Sequence, residues 1–225
     1  MAKLAVIVAG GSGLRMGNEL PKQFLLLEGK PIILHALDAF FQTFSDIKIT
    51  LVIPEHYIDY TREMLKNFGY PDNIQIVQGG DTRFHSVKKG ISTAEADDII
   101  FVHDAVRCLV SSQLIMRCYE TAMEKGSAIP VVPIRDSMRR MQGDGASEVV
   151  SREHLYAVQT PQTFQAITLL SAFDVEYQSS FTDEATVIQH AGSKVYTVEG
   201  EEQNIKITYP EDLLYAKWRL SLKKS

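Results

Sequence analysis

Short runs rich in valine and isoleucine alternate with segments of helical periodicity along most of this chain, and that alternation restricts the fold more than any other feature. The runs at 4–8, 47–53, 74–77 and 99–102 are short and rich in Val and Ile, and 128–133 looks like another such run, which predicts strands buried on both faces. Between the first two, Ile32, Ile33, Ala36, Leu37, Phe40, Phe41 and Phe44 recur at helical spacing, and residues 57–68, 83–93 and 111–125 read as further helices. Buried strands alternating with helices predict an α/β fold, a mostly parallel sheet with helices on both faces. Ligands of such sheets bind beyond the carboxyl ends of the strands, so the loops that follow strands are where chemistry is expected.

The alternation breaks after Pro133. Residues 135–142 are polar and basic, Gly-Asp-Gly-Ala-Ser is a turn signal, and residues 148–158 return as an extended stretch. A two-stranded excursion of this size cannot bury a core of its own, so 135–158 needs a covering surface on its own body or on a second subunit. Two more helices are expected after it, then strands around Val195 and Ile205. Thr208-Tyr-Pro-Glu211 has capping-box spacing, with Pro210 in the first turn of a closing helix. At 225 residues the expectation is one domain, 1–225, with 135–158 as its arm.

A net charge of −5 argues against general affinity for nucleic acid. The two cysteines, Cys108 and Cys118, form no CxxC pair, which suits a reducing, cytoplasmic setting. No apolar run approaches the roughly 18 residues of a membrane span, and the apolar N-terminal run reads as a buried first strand instead of a signal peptide.

The loop after the first strand is the most informative: Ala9-Gly10-Gly11-Ser-Gly-Leu-Arg15, continuing to Pro21-Lys22-Gln23. Glycines there let backbone N–H groups gather round phosphate oxygens. The Walker spacing is absent, and Met16 stands where the third glycine of GxGxxG would be. What remains is a Gly-rich loop with two cations, Arg15 and Lys22, which suits a triphosphate; the plain alternative is a glycine turn with solvated basic residues. Gly79-Gly80-Asp81 and Ser86 could read a base edge, or form a simple strand-to-helix turn with Asp81 as cap. Asp104, at the end of an apolar strand, could hold Mg²⁺, or merely pair with Arg107. His103 has no second histidine at metal-ligand spacing and receives no catalytic role. Arg152, Thr160, Thr182 and Lys206 are weak singly; Thr182 reads most simply as a helix cap and Lys206 as an exposed strand residue.

In order along the chain, AGGSGLRMG…PKQF, GGDTRFHSV, HDAVR, PIRDSMRR, TPQTF, TDEA and NIKITYPED closely resemble the 2-C-methyl-D-erythritol 4-phosphate cytidylyltransferase family. The resemblance implies a Rossmann-like nucleotidyltransferase sheet with a projecting β-arm that interlocks two subunits, and reaction of CTP with a small sugar-alcohol phosphate in the presence of Mg²⁺. It assigns Ala9, Gly10, Gly11, Gly80, Asp81 and Ser86 to the nucleotide, Arg15 and Lys22 to the triphosphate, and Asp104 to metal and acceptor, with Arg107 in support. Ser137, Arg152, Thr160, Thr182 and Lys206 match positions around the acceptor phosphate and the α-phosphate. Two departures stand out: Cys108 replaces a usual proline, which implies a more pliable loop, and Ser137 replaces threonine but keeps the hydroxyl. Ribitol-5-phosphate cytidylyltransferase shares most of these motifs but tends towards GRxET and TDAC where this chain has GGDTR and TDEA. A non-catalytic nucleotide-sensing module is the reading from another class, and the joint presence of Arg15, Lys22, Asp104 and Lys206 argues against it.

Overall fold

The computed structural model describes residues 1–10 and 20–222. Among these the chain runs β1 (Lys3–Val8), β2 (Leu26–Leu27), β3 (Lys30–Pro31), α1 (Ile32–Thr43), β4 (Lys48–Ile53), α2 (Ile58–Asn67) and β5 (Gln75–Gln78). It continues α3 (Arg83–Gly90), β6 (Ile99–Asp104), α4 (Ser112–Lys125), β7 (Ser127–Pro133), β8 (Met138–Met141) and β9 (Ser147–Val150). Then follow β10 (Tyr156–Val158), β11 (Gln162–Gln165), α5 (Ala166–Ala172), α6 (Glu184–His190), β12 (Thr197–Glu199) and α7 (Pro210–Leu222).

The main sheet reads β7-β11-β6-β1-β4-β5. β1 pairs in parallel with β4 and β6, and β4 with β5, while β11 runs antiparallel between β6 and β7. Side chains alternate across β1 as a buried strand requires: Ala5 and Ile7 face the cluster built on Leu37, Phe40 and Ile115, whereas Leu4, Val6 and Val8 face Val87, Leu169 and Ile188. Thus α1 and α4 cover one face and α3, α5 and α6 the other. Helix α3 lies so close to the sheet that a Cβ on Gly90 would come within 2.4 Å of Val6 Cγ1, leaving room only for glycine.

The excursion differs from its expected shape. Within it, β8 and β9 alone form a hairpin apart from the main sheet. β10, the end of the stretch, pairs with Val131–Pro133 of β7, while β12 takes the other edge of β7. The last turn of the extended stretch is therefore held by the main sheet, and the free part of the excursion is shorter than 135–158. Ile205 lies outside any strand, in a segment turned by an Asn204 N–H bond to the Glu201 carbonyl. Helix starts shift by one residue. Thr82, not Asp81, caps α3, and Asp183, not Thr182, caps α6 through a capping box with Thr186. In each case the cap is the last residue with extended backbone before the helix, and its neighbour upstream sits too far back to reach the free N–H groups. Asp212, not Glu211, accepts from the Thr208 and Tyr209 N–H groups at the start of α7.

Candidate active site

Five chain segments meet at the carboxyl ends of β1, β5 and β6. The end of β1 is fixed by the Ala9 N–H donating to Val52 O (3.0 Å), and the Gln23 side chain donates to Ala9 O at 2.8 Å. That bond seats the 3-10 turn Lys22–Phe24 over the strand and delivers Lys22 to the opening. Lys22 Nζ donates to Ile207 O (2.8 Å), so the turn and the segment carrying Lys206 are tied together. Across the opening, the Gly80 N–H donates to Ser86 Oγ (3.0 Å), folding the loop after β5 back onto α3. A Cβ on Gly80 would lie 2.4 Å from His85 Cβ, which is why the close turn takes glycine.

The result is a cleft of about 300 Å³ lined by Val8, Ala9, Gly10, Gln23, Gly80, Thr82, Ser86 and Val106, with Lys22, Asp81, Arg83, Asp104 and Lys206 as its ionisable groups. Asp104 sits at its centre of charge. Lys206 Nζ is 3.0 Å from Asp104 Oδ2, Arg107 Nε 3.7 Å from the same oxygen, and Arg83 Nη2 3.4 Å from Oδ1. Burial alone would raise the carboxyl's pKa, but Arg83, Lys206 and Arg107 outweigh it and hold the group well below the usual carboxylate range. Asp104 is therefore an ionised acceptor at neutral pH.

Behind the cleft the polar groups are closed into the fold. The Asp104 N–H donates to Thr160 Oγ1 (3.1 Å), leaving the Thr160 hydroxyl to donate to His103 Nδ1 (3.0 Å). His103 Nε2–H then donates to Arg107 O (3.1 Å), and this single tautomer satisfies the whole chain. Burial pushes the His103 pKa down to about 4, so the ring is neutral, as that pattern requires. Arg107 donates to Asn204 O (2.8 Å) and Val158 O (3.3 Å), and Asn204 Nδ2 donates to Thr160 O (2.8 Å). These bonds lock the Lys206 segment against the turn between β10 and β11.

Of the residues singled out from sequence, Ala9, Gly10, Lys22, Gly80, Asp81, Ser86, Asp104 and Lys206 line one cleft. Arg107 and Thr160 stand directly behind it, with the Thr160 hydroxyl turned inward. Thr182 is exposed just ahead of α6, and Ser137 and Arg152 are exposed on the excursion, outside the cleft lining. Gly11 and Arg15 lie outside the described residues. Cys108 is buried and so is no surface nucleophile. The sequence reading gave no role to Arg83 or to Glu184, its partner 101 residues away. The only signal was that both fall inside the quoted strings GGDTRFHSV and TDEA.

Among the described residues no group of three or more His, Cys, Asp or Glu side chains could hold a metal by itself. The cleft instead offers carboxylates singly, amid cations and backbone donors, an arrangement suited to a polyanion that brings its own oxygen ligands.

Comparison with known proteins agrees. The family model described as 2-C-methyl-D-erythritol 4-phosphate cytidylyltransferase matches residues 3–221. A protein of that name from Bacteroides fragilis is 44% identical over 216 residues, covering 96% of this chain and 98% of the relative. One from Porphyromonas gingivalis is 40% identical over 220 residues, covering 97% and 98%. The solved 4-diphosphocytidyl-2C-methyl-D-erythritol synthase of Anaerococcus prevotii superposes with a TM-score of 0.82 at 26% identity, covering 98% of each chain. With fold, cleft and sequence in agreement, the chain belongs to the 2-C-methyl-D-erythritol 4-phosphate cytidylyltransferase family.

Proposed function

We infer that this protein is a cytidylyltransferase that joins CTP to 2-C-methyl-D-erythritol 4-phosphate, giving 4-diphosphocytidyl-2-C-methyl-D-erythritol and pyrophosphate in isoprenoid precursor synthesis. The observation that carries the mechanism is the convergence of Lys22 and Lys206 on a cleft framed by the Gly10 and Gly80 loops. A phosphate monoester is largely dianionic at pH 7, so one of its oxygens attacks the α-phosphorus of CTP without a general base. A new P–O bond forms, the bond from the α-phosphorus to the α–β bridging oxygen breaks, and pyrophosphate leaves with the electron pair. The barrier is repulsion between polyanions and charge growing on the leaving group, which fixed cations lower. The absence of a base is consistent with the cleft: His103 is neutral and sealed behind Asp104, and Asp104 is ionised and ion-paired.

In this reading Ala9, Gly10, Gly11, Gly80, Asp81 and Ser86 hold the cytidine, Lys22 and Lys206 stabilise transition-state charge, and Arg15 takes the departing pyrophosphate. Thr160 and Arg107 hold Asp104 in place, and Ser137, Arg152 and Thr182 serve the acceptor phosphate. Asp104 is the residue that would hold Mg²⁺ together with the bound triphosphate. Such an ion would neutralise charge on the triphosphate.

The chain is read as one nucleotidyltransferase domain, 1–225, with 135–158 as an arm through which two copies form a homodimer. No helix among the described residues is long and apolar enough to cross a membrane, and a cytoplasmic location is proposed. The test is pyrophosphate release from CTP and Mg²⁺ with each acceptor. Turnover far faster with methylerythritol phosphate than with ribitol 5-phosphate is expected. Equal or inverted rates would move the assignment to the ribitol enzyme, and no release with any acceptor would favour a sensing module.

A further inference from the structure

The Arg83–Glu184 pair is the least economical feature of this cleft. Glu184, the first residue of α6, is 1% exposed. Both of its carboxylate oxygens are taken by Arg83, Nη1 to Oε1 and Nη2 to Oε2 (3.1 Å). Its helix start is itself pinned, because Gln162 of β11 donates to the Asp183 carboxylate (2.8 Å) and accepts from the Ala185 N–H (2.9 Å). The carboxylate therefore has a rigid seat. A buried ion pair is a weak way to stabilise a fold, since desolvation offsets much of the attraction. A tie between α3 and α6 would in any case not require the arginine to line the cleft, yet Arg83 does line it. Its two contacts are also unequal. The grip on Glu184 is bidentate, whereas Nη2 stands 3.4 Å from Asp104 Oδ1, longer than the roughly 2.7–2.9 Å of a formed charge-assisted bond. A guanidinium clamped on one side and loosely held on the other is poised to take a phosphate oxygen.

We propose that Arg83 is a further phosphate-binding residue of this cleft, meeting the reacting phosphates beside Asp104, and that Glu184 is the positioning residue that aims it. The proposal rests on reading the cleft as the CTP site. Lysine at 83 would keep the charge but lose the fork that spans both Glu184 oxygens, and glutamine at 184 would keep the volume but grip only one nitrogen.

The test measures kcat, KM for each substrate and thermal midpoint for Arg83→Ala, Arg83→Lys, Glu184→Gln and the double variant Arg83→Ala/Glu184→Gln. Arg83→Ala should lower kcat/KM by about ten- to a hundredfold, as expected for a lost charged hydrogen bond. Arg83→Lys and Glu184→Gln should fall between it and wild type. The double variant should be no slower than Arg83→Ala, because Glu184 acts only through the arginine. Lowered thermal midpoints with unchanged kcat and KM would overturn the proposal and leave the pair as a structural tie. If Arg83→Ala fails to fold, the two milder variants carry the same decision. If wild type shows no turnover, the functional reading fails on its own account. Calorimetric binding of CTP then still decides: weaker binding in Arg83→Lys and Glu184→Gln supports the proposal, and unchanged binding overturns it.

Discussion

The cleft and the excursion expose their charged residues to very different degrees. In and behind the cleft Lys22, Arg83 and Arg107 are partly buried, and the cations are held by backbone carbonyls or buried carboxylates: Lys22 on Ile207 O, Arg107 on Asn204 O, Arg83 on Glu184, Lys206 on Asp104. On the excursion Arg139, Arg140 and Arg152 are exposed, and Val149 keeps 77% of its surface open. The difference teaches that one chain preorganises the residues assigned to the nucleotide, while those assigned to the acceptor, Ser137 and Arg152, stand apart from the cleft. An exposed hairpin with apolar Met141 and Val149 suits the proposed homodimer, in which a second copy would cover it.

The comparison breaks most sharply at Lys22. Lys22→Ala should lower kcat by about a hundredfold or more with the fold intact, since one lost preorganised donor typically costs on the order of 10²–10³ in rate. A raised KM at unchanged kcat would instead mean that Lys22 binds ground and transition states alike. Arg152→Ala should lower kcat/KM for the acceptor by roughly ten- to a hundredfold while leaving CTP affinity near wild type. Loss of CTP affinity there would erase the distinction between the two regions. A charge on the hairpin, Val149→Asp, should shift the protein from dimer to monomer in sedimentation while the sheet keeps its thermal midpoint. An unchanged dimer would place the interface elsewhere.

A further effect, on stability instead of rate, concerns the group sealed behind the cleft. His103 has its pKa lowered from 6.5 to about 4 by burial. The unfolded chain therefore binds this proton first as pH falls. The stability tied to the neutral ring is complete above about pH 6.5 and drains away towards pH 4, by about 1.4 kcal/mol per unit and about 3 kcal/mol in all. Urea unfolding across that window should show wild type losing stability relative to His103→Gln as pH falls. A constant difference would mean that the ring is not held neutral.

Much of this was legible in sequence because it is local. The run at 4–8 became β1 and the period from Ile32 became α1, since consecutive apolar residues and helical spacing decide those elements without reference to the rest of the chain. The cleft residues on the Gly10, Gly80 and Asp104 loops were legible for the same reason: each follows a strand in a parallel sheet, and such loops gather at one edge. Other features depend on pairings no local pattern records. That β10 continues along β7 is fixed by a partner more than twenty residues upstream. Arg83 gains its meaning from Glu184 on another helix, and the bonds of the Thr160 hydroxyl to Asp104 and His103 join residues more than fifty positions apart. Adjacent candidates blurred the caps: Asp81 beside Thr82 and Thr182 beside Asp183 are equally able residues, and only the backbone angle at the helix start chooses between them.

The central claim is that one chain supplies the nucleotide cleft and a second supplies the acceptor arginine. Mixing Lys22→Ala protein with Arg152→Ala protein at subsaturating acceptor tests it, each alone being expected to keep at most about a tenth of wild-type activity. If Arg152 acts across the dimer, one site of every mixed dimer carries both defects and the other carries none, so activity returns on mixing. If Arg152 serves its own chain, every site keeps one defect. Confirmed subunit exchange with restored pyrophosphate release is the predicted result, and confirmed exchange with no restored activity would contradict the account.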